Sequence, residues 1–251
     1  MSPTRSIEAN TFSIVARCAS TGESGVAVAS AVPAVGSICP FLRAGVGAVS
    51  TQSWVNPYLA VRILDAMQAG SDAQSALDKA LAEDGEANLR QVGVVDASGG
   101  SASWTGADCT PWHGEAKGRD FAAQGNMLTG APVIAAMAET FQRTAGQPLE
   151  DRLMACLEAA QAAGGDKRGR QSAALVVFGA EAYAKLDVRV DEDPDPIPRL
   201  RRTFDVAKAQ LLPFIAGMPK RDGGSAFPPE VMDLLLLSPP DRPAGGGSAK
   251  P

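Results

Sequence analysis

The sequence predicts an α+β protein, a four-layer αββα sandwich of two mainly antiparallel sheets with helices on the outer faces. Three observations predict it. β-like runs come in pairs joined by short polar or glycine-rich connections, at 11–17 with 25–30 and at 89–97 with 101–108, which is how antiparallel hairpins read. Helical patterns also come in pairs, over 57–83 and 131–163, and such a pair must bury its apolar stripes on a sheet face. The order is therefore strands, helix pair, strands, helix pair, strands, helix. It lacks the single crossovers between parallel strands that a doubly wound sheet requires.

Taken in order, residues 1–10 read as a flexible leader. Phe12, Ile14 and Ala16 then alternate with Ser13, Val15 and Arg17, a period of two that Val15 weakens on its polar side. Thr21-Gly22-Glu23-Ser24-Gly25 supplies the turn to the second strand. A third strand is expected over 45–51, where Gly45 and Gly47 mark close backbone approach. GVG lacks the rest of a dinucleotide fingerprint. Pro57 suits a first helical turn and Gly70 a helix stop, and Ser71-Asp72 caps a second helix. Ser98-Gly99-Gly100 turns the next hairpin, and a loop over 107–119 leads to a strand within 121–128. Helices follow at 131–144 and 148–163, the latter with Leu149, Leu153, Cys156, Leu157 and Ala160 on one stripe. Strands are expected over 172–179 and 185–193, ended by Pro194 and Pro196. An amphipathic helix over 200–217, broken near Pro213, closes a domain spanning 11–218. Residues 219–251 are rich in Pro and Gly and read as a mostly disordered tail.

Composition narrows the chemistry. An apolar fraction of 45% across 251 residues supports a sizeable core. The net charge of −5 argues against nucleic acid as a partner. No run reaches the length of a membrane helix or of a signal sequence, so the expectation is a soluble cytoplasmic protein with no membrane partner. Cys18, Cys39, Cys109 and Cys156 show no CxxC spacing, which suggests neither zinc nor a redox motif. His113 is the one histidine and reads as a surface loop residue. A two-histidine metal site is thereby excluded, and neither metal nor cofactor is expected. A catalytic base would then be an amine or a carboxylate. Thr11 is where the two requirements meet: as the first residue of a mature chain it would carry hydroxyl nucleophile and amine base together.

TFSIVAR, GVAVASAVPAVG, AGVGAVSTQSWVNPYL, RQVGVVDASG, WTGADCTPW, AAQGNML, AAGGDKRGRQSAAL and DVRVDEDPDPI occur in that order over residues 11–205. Together they resemble a bacterial family known as domain of unknown function 1028. Its members are assigned to the N-terminal-nucleophile (Ntn) hydrolase superfamily. The resemblance implies the αββα fold, an amidohydrolase character and a possible homodimer. Members begin Met-Thr-Phe, so loss of Met leaves a threonine first, which here corresponds to Thr11. This chain departs from the pattern twice. Asn10 precedes Thr11, so exposing the threonine requires cleavage between them, and Cys18 stands where many relatives have aspartate.

The expected activity is hydrolysis of a C–N amide bond in a small anionic metabolite. Thr11 would be the nucleophile, Ser30 a proton relay, and Asp166 would orient an amine or an arginine. Arg168, Arg170 and Gln171, in one polar loop, would bind the substrate, the two arginines holding its anionic group with bidentate contacts. Thr51, Gln52, Asn56, Gln124 and Asn126 would contact substrate or supply oxyanion donors. Asp187, Arg189, Asp191 and Asp193 alternate along one strand and are expected to pair with the Arg168/Arg170 loop. Two other readings stand beside this one: a catalytically inactive αββα module that binds a small ligand or a protein partner, and a cysteine nucleophile, Cys18 or Cys39, that needs no processing.

Overall fold

Alternation at the first hairpin sets the layering. In the computed structural model, which describes residues 8–9, 11–224 and 229–232, β1 is Glu8–Ala9. β2 (Thr11–Arg17) pairs antiparallel with β3 (Ser24–Ser30), with Thr11 opposite Ser30. These two strands lie at the centre of a six-stranded sheet. Its other members are β8 (Gly114–Gly118), β9 (Phe121–Gly125), β10 (Ser172–Phe178) and β11 (Ala184–Val190), in the order β11-β10-β3-β2-β9-β8. The second sheet runs β1-β5-β6-β7, from β5 (Gly47–Trp54), β6 (Arg90–Asp96) and β7 (Ser101–Thr105). β4 (Pro40–Arg43) also pairs with β5. Every pairing in both sheets is antiparallel.

Both faces of β2 are buried, which is why Val15 can sit on its otherwise polar side. Val15, Val26, Ala48, Val95 and Ala122 form a cluster between the sheets. Phe12 and Ile14 point the other way, by strand alternation, towards the layer of α3 (Pro132–Arg143) and α4 (Leu149–Ala162), which pack on β2, β3 and β9. On the far side, α1 (Pro57–Gln68) and α2 (Ala73–Ala82) bury Leu59, Ile63 and Leu77 against Val49, Val92 and Val94. The layers are thus α1/α2, sheet, sheet, α3/α4, the expected αββα order.

Several local expectations need correction. Passages read as irregular contain strands: β4 lies within 31–44 and β8 within 107–119. β8, GEAKG, is a half-exposed edge strand whose single apolar residue gives no period-two signal. Glu8–Ala9 are strand residues paired with Trp54 and Ser53, so this part of the leader is held in the second sheet. The chain divides into a unit Met1–Thr203 and a unit Phe204–Pro251, with the division inside α5 (Pro196–Gly217). Within the first unit, Arg201 makes a two-pronged ion pair with Glu158, at 2.7 and 2.9 Å. Within the second, α5 continues through Pro213 to Gly217. Proline removes one donor there, and the helix persists. The expected disordered tail falls mostly on residues outside the described ones, apart from 219–224 and α6 (Pro229–Met232). No described helix is long and apolar enough to cross a membrane.

The β6–β7 turn ties the α1/α2 layer to its sheet through Asp96. Its carboxylate accepts from Ala73 N at 3.0 Å, at the start of α2, and from Ser98 N, Ser98 Oγ and Gly100 N at 2.7–2.9 Å. Burial alone would raise the Asp96 carboxyl, but these hydrogen bonds outweigh it and hold the group below its usual range. The folded state therefore binds this proton less tightly than the unfolded chain does. The stabilisation is complete above the unfolded value of ~4 and is lost as pH falls through the lower folded value. Thermal melts in acid should accordingly show Tm falling with pH. Asp96→Asn should lower Tm at neutral pH and flatten that acid dependence.

Candidate functional site

A sandwich interior admits few amides and hydroxyls, because each buried polar atom must find a partner. Here six enter it. Thr11, Ser13, Gln52, Gln91, Gln124 and Asn126 are each 0% exposed. Strand parity puts them in one layer: Ser13 shares a face with Val15, Gln52 with Ala48, Gln91 with Val95, and Gln124 with Ala122. All four of those apolar residues belong to the cluster between the sheets. The inter-sheet layer is thus polar at the Thr11 end and apolar at the other.

Gln91 is the hub. Its Oε1 accepts from Gln52 Nε2 at 2.8 Å and Asn126 Nδ2 at 2.9 Å. Its Nε2 donates to Gly125 O at 2.9 Å and Thr105 Oγ1 at 3.0 Å. Ser13 Oγ donates to Gln52 Oε1 and accepts from Gln124 Nε2, both at 2.6 Å. Glycine at position 93 makes room for this packing, since a Cβ there would run into the Gln124 carboxamide, 2.5 Å from its Cδ.

The network ends on Thr11. The Thr11 carbonyl accepts from Asn126 N at 3.0 Å and from Gln52 Nε2 at 3.2 Å, while Thr11 Oγ1 donates to Ser30 Oγ at 3.2 Å. Ser53 and Met127, the residues directly after those two donors, have φ of 66° and 53°. This is left-handed backbone that costs a non-glycine residue about 1–3 kcal/mol. Both strands therefore kink where they grip Thr11. Asp166, 6% exposed, accepts from Ala31 N at 3.2 Å and from Arg168 N and Nη2, each at 2.9 Å. Gln171 N donates to Ser30 O at 2.9 Å. Loops 110–112, 126–129 and 164–167 are stitched together by backbone bonds from Met127 N to Thr110 O, Thr129 N to Gly165 O and Lys167 N to Met127 O.

The expected residues divide accordingly. Thr11, Ser30, Gln52 and Asn126 meet directly, Gln124 joins through Ser13, and Asp166 and Gln171 join through the backbone at Ala31 and Ser30. Asp166 orients Arg168, one of the two partners expected for it. Thr51 and Asn56 stand apart from this group. Thr51 has the parity of Val49 and so faces α1, and its hydroxyl reaches Asn56 O at 3.5 Å. Asn56 caps α1 by accepting from Tyr58 N and donates to Asp84 at 3.1 Å. Arg170 pairs with Asp195 at 2.6 Å, a residue beyond the acidic strand expected to partner it, and within that strand Arg189 pairs with Asp187. Sequence reasoning missed Gln91 and Ser13. The available signal was a glutamine set two residues before Gly93 in an otherwise apolar strand.

Among the described residues no group of His, Cys, Asp and Glu is arranged to hold a metal. His113 is half-buried. Cys39 is 0% exposed and burial pushes its thiol well up, which unfits it as a nucleophile. Cys18 lies at the far end of β2 from Thr11.

The family model described as "Family of unknown function (DUF1028)" matches residues 11–200. A crystal structure of a Silicibacter pomeroyi protein carrying that family description is similar to this chain at 28% identity. The match covers 85% of this chain and 97% of that one, with a TM-score of 0.78. Anbu (ancestral beta-subunit) from Yersinia bercovieri matches at 12% identity, covering 83% and 99% of the two chains, with a TM-score of 0.36. An Anbu mutant from Hyphomicrobium sp. strain MC1 matches at 10% identity, covering 80% and 96%, with a TM-score of 0.38. No curated protein matches the chain.

Replacing the hub separates the network from its surroundings. Gln91→Leu strands the amide donors of Gln52 and Asn126 and should cost at least ~2 kcal/mol in urea denaturation. Asn56→Ala removes only a helix cap and should cost about 1 kcal/mol.

Proposed function

The chain belongs to the DUF1028 family, a family of unknown function, and we propose that it is an Ntn-type hydrolase cleaving a C–N amide bond of a small anionic metabolite. The observation that carries this reading is the treatment of Thr11. Its carbonyl is clamped by two donors and its hydroxyl is bonded to Ser30, so Oγ1 is held with little freedom beside a ring of polar loops.

The chemistry requires that the Asn10–Thr11 bond be cut. The freed α-amine, with a pKa of ~8, then works close to neutral pH as general base. Oγ1 bonds to the substrate's carbonyl carbon as the amine takes the hydroxyl proton. That proton passes to the leaving nitrogen as the C–N bond breaks, and an ester on Thr11 remains. Water attacks the ester and gives one proton to the amine, and the acid product leaves with Oγ1 reprotonated. Ser30, accepting from Thr11 Oγ1 and from Val32 N at 3.3 Å, orients the hydroxyl. The Gln52 amide and the Asn126 backbone N–H donate to Thr11's own carbonyl, and both side-chain amides donate to Gln91, which makes them positioning residues. Arg168, partly exposed beside Asp166, is the candidate contact for the substrate's anion. A homodimer in the cytoplasm acting on a small molecule, with no nucleic-acid or membrane partner, completes the proposal.

One observation favours a second reading, a catalytically inactive binding module. Glu8–Ala9 are paired with β5, so these two leader residues are tied into the sheet that also supplies Gln52. Intact mass of the purified protein decides between the two. Loss of residues 1–10, blocked by Thr11→Ala, is the expected result. A full-length chain whose amidase activity is indifferent to Thr11→Ala would sink the hydrolase reading.

A further inference from the structure

At the opposite end of β2 from Thr11, about 20 Å along the strand, lies a cavity of about 500 Å³. Its walls come from the β2–β3 turn at Cys18 and Ser20, from Arg119–Phe121 ahead of β9, and from the α3–α4 connection with Arg152. We propose that this cavity is a binding site, separate from the Thr11 cluster, for a small carboxylate carrying an apolar body.

Arg152 carries the argument. It is 8% exposed, and its guanidinium lies 3.6 Å over the Phe141 ring. Nη2 donates to Phe141 O at 2.8 Å, yet Nε has no hydrogen-bond partner among the described residues. No described carboxylate lies within ion-pair distance of it. The one acid on the cavity wall, Asp120, pairs with Arg17 at 3.0 Å and lies 4.0 Å from Arg119, and it reaches Arg152 only through space. Burial accordingly lowers the proton affinity of the Arg152 guanidinium. A desolvated cation whose nearest carboxylate, Asp120, acts on it only across space is costly, and an anion bonded directly to it reduces that cost. Arg119, its side chain 76% exposed, lies at the rim 4.0 Å from Asp120 and donates to Ser98 O at 2.6 Å, a second cation with donors still facing solvent. Cys18 and Ser20, 3.2 Å apart, offer hydrogen-bond donors, and Phe121, Phe141 and Ala145 give the apolar wall. The volume suits a ligand of one ring with its carboxylate, and planar guanidinium groups favour that anion bidentately.

Calorimetric titration of the full chain with benzoate, and with benzamide as its uncharged match, tests the site. Benzoate should bind at least about tenfold more tightly than benzamide, the effect of one charge-assisted hydrogen bond. Arg152→Met should abolish the preference and Arg119→Ala should reduce it, while Thr11→Ala should leave it unchanged. Iodoacetamide gives a second route that needs no core substitution. All four cysteines are buried, but Cys18 is 8% exposed on the cavity wall. Burial alone would raise its thiol, but hydrogen bonds from Ser20 and Thr21 outweigh this and lower it, whereas burial pushes the Cys39 thiol well up and that of Cys156 up to about 12. Cys18 is therefore the one expected to react first in the native chain. That modification should exclude benzoate. Failure of benzoate to bind, equal binding of benzamide, or binding that survives both Cys18 modification and Arg152→Met would overturn the proposal.

Discussion

Everything near Thr11 depends on one constraint: amides placed between two sheets must be satisfied by each other. A stranded buried donor costs about 1–3 kcal/mol, so the side chains of Ser13, Gln52, Gln91, Gln124 and Asn126 form a linked set that meets Thr11 at its carbonyl, with Gln124 Oε1 left as an acceptor without a partner among the described residues. Gln91 accepts from two side chains and donates to Gly125 and Thr105. It thereby binds β5, β6, β7 and the end of β9 at a single point. Hydrophobic burial would hold the two sheets face to face over a range of slides. Directional bonds of 2.6–2.9 Å among Ser13, Gln52, Gln91, Gln124 and Asn126 fix one register.

That register sets what Thr11 can do. Its carbonyl is gripped from β5 by a side chain and from the end of β9 by a backbone N–H, one donor from each sheet. The left-handed residues Ser53 and Met127 lie where these donors are delivered, two of the four such non-glycine residues among those described, the others being Ala34 and Asp120. Asp166 contributes at one remove, fixing Ala31 and Arg168 and so the loop next to Ser30.

The layering was legible because it rests on period. Alternation in β2, the paired helices with their caps at Pro57 and Asp72, and the Gly-rich turn at 98–100 each report a local preference that the fold keeps. What stayed hidden depends on pairing between distant segments. The β8 strand, GEAKG, is a strand because β9 lies beside it. Pro213 reads as a break but costs only one donor. Within the site, Thr11, Ser30, Gln52 and Asn126 could be named from residue type and resemblance. Gln91 could not, because its role exists only once β5 and β9 stand on either side of it. Thr51 and Asn56 misled because they neighbour Gln52 in sequence, and one step along a strand reverses the face.

The pairing of Glu8–Ala9 with β5 carries a consequence for assembly. While it stands, the backbone groups of Ser53 and Trp54 on that side of β5 are occupied. Removal of the leader would open a short strand edge beside Thr11, with unpaired N–H and C=O groups ready to accept another extended segment. Exposure of the threonine and exposure of a peptide-docking edge would thus be one event. An extended acyl chain or peptide laid along β5 would then present its own carbonyl where the leader had run.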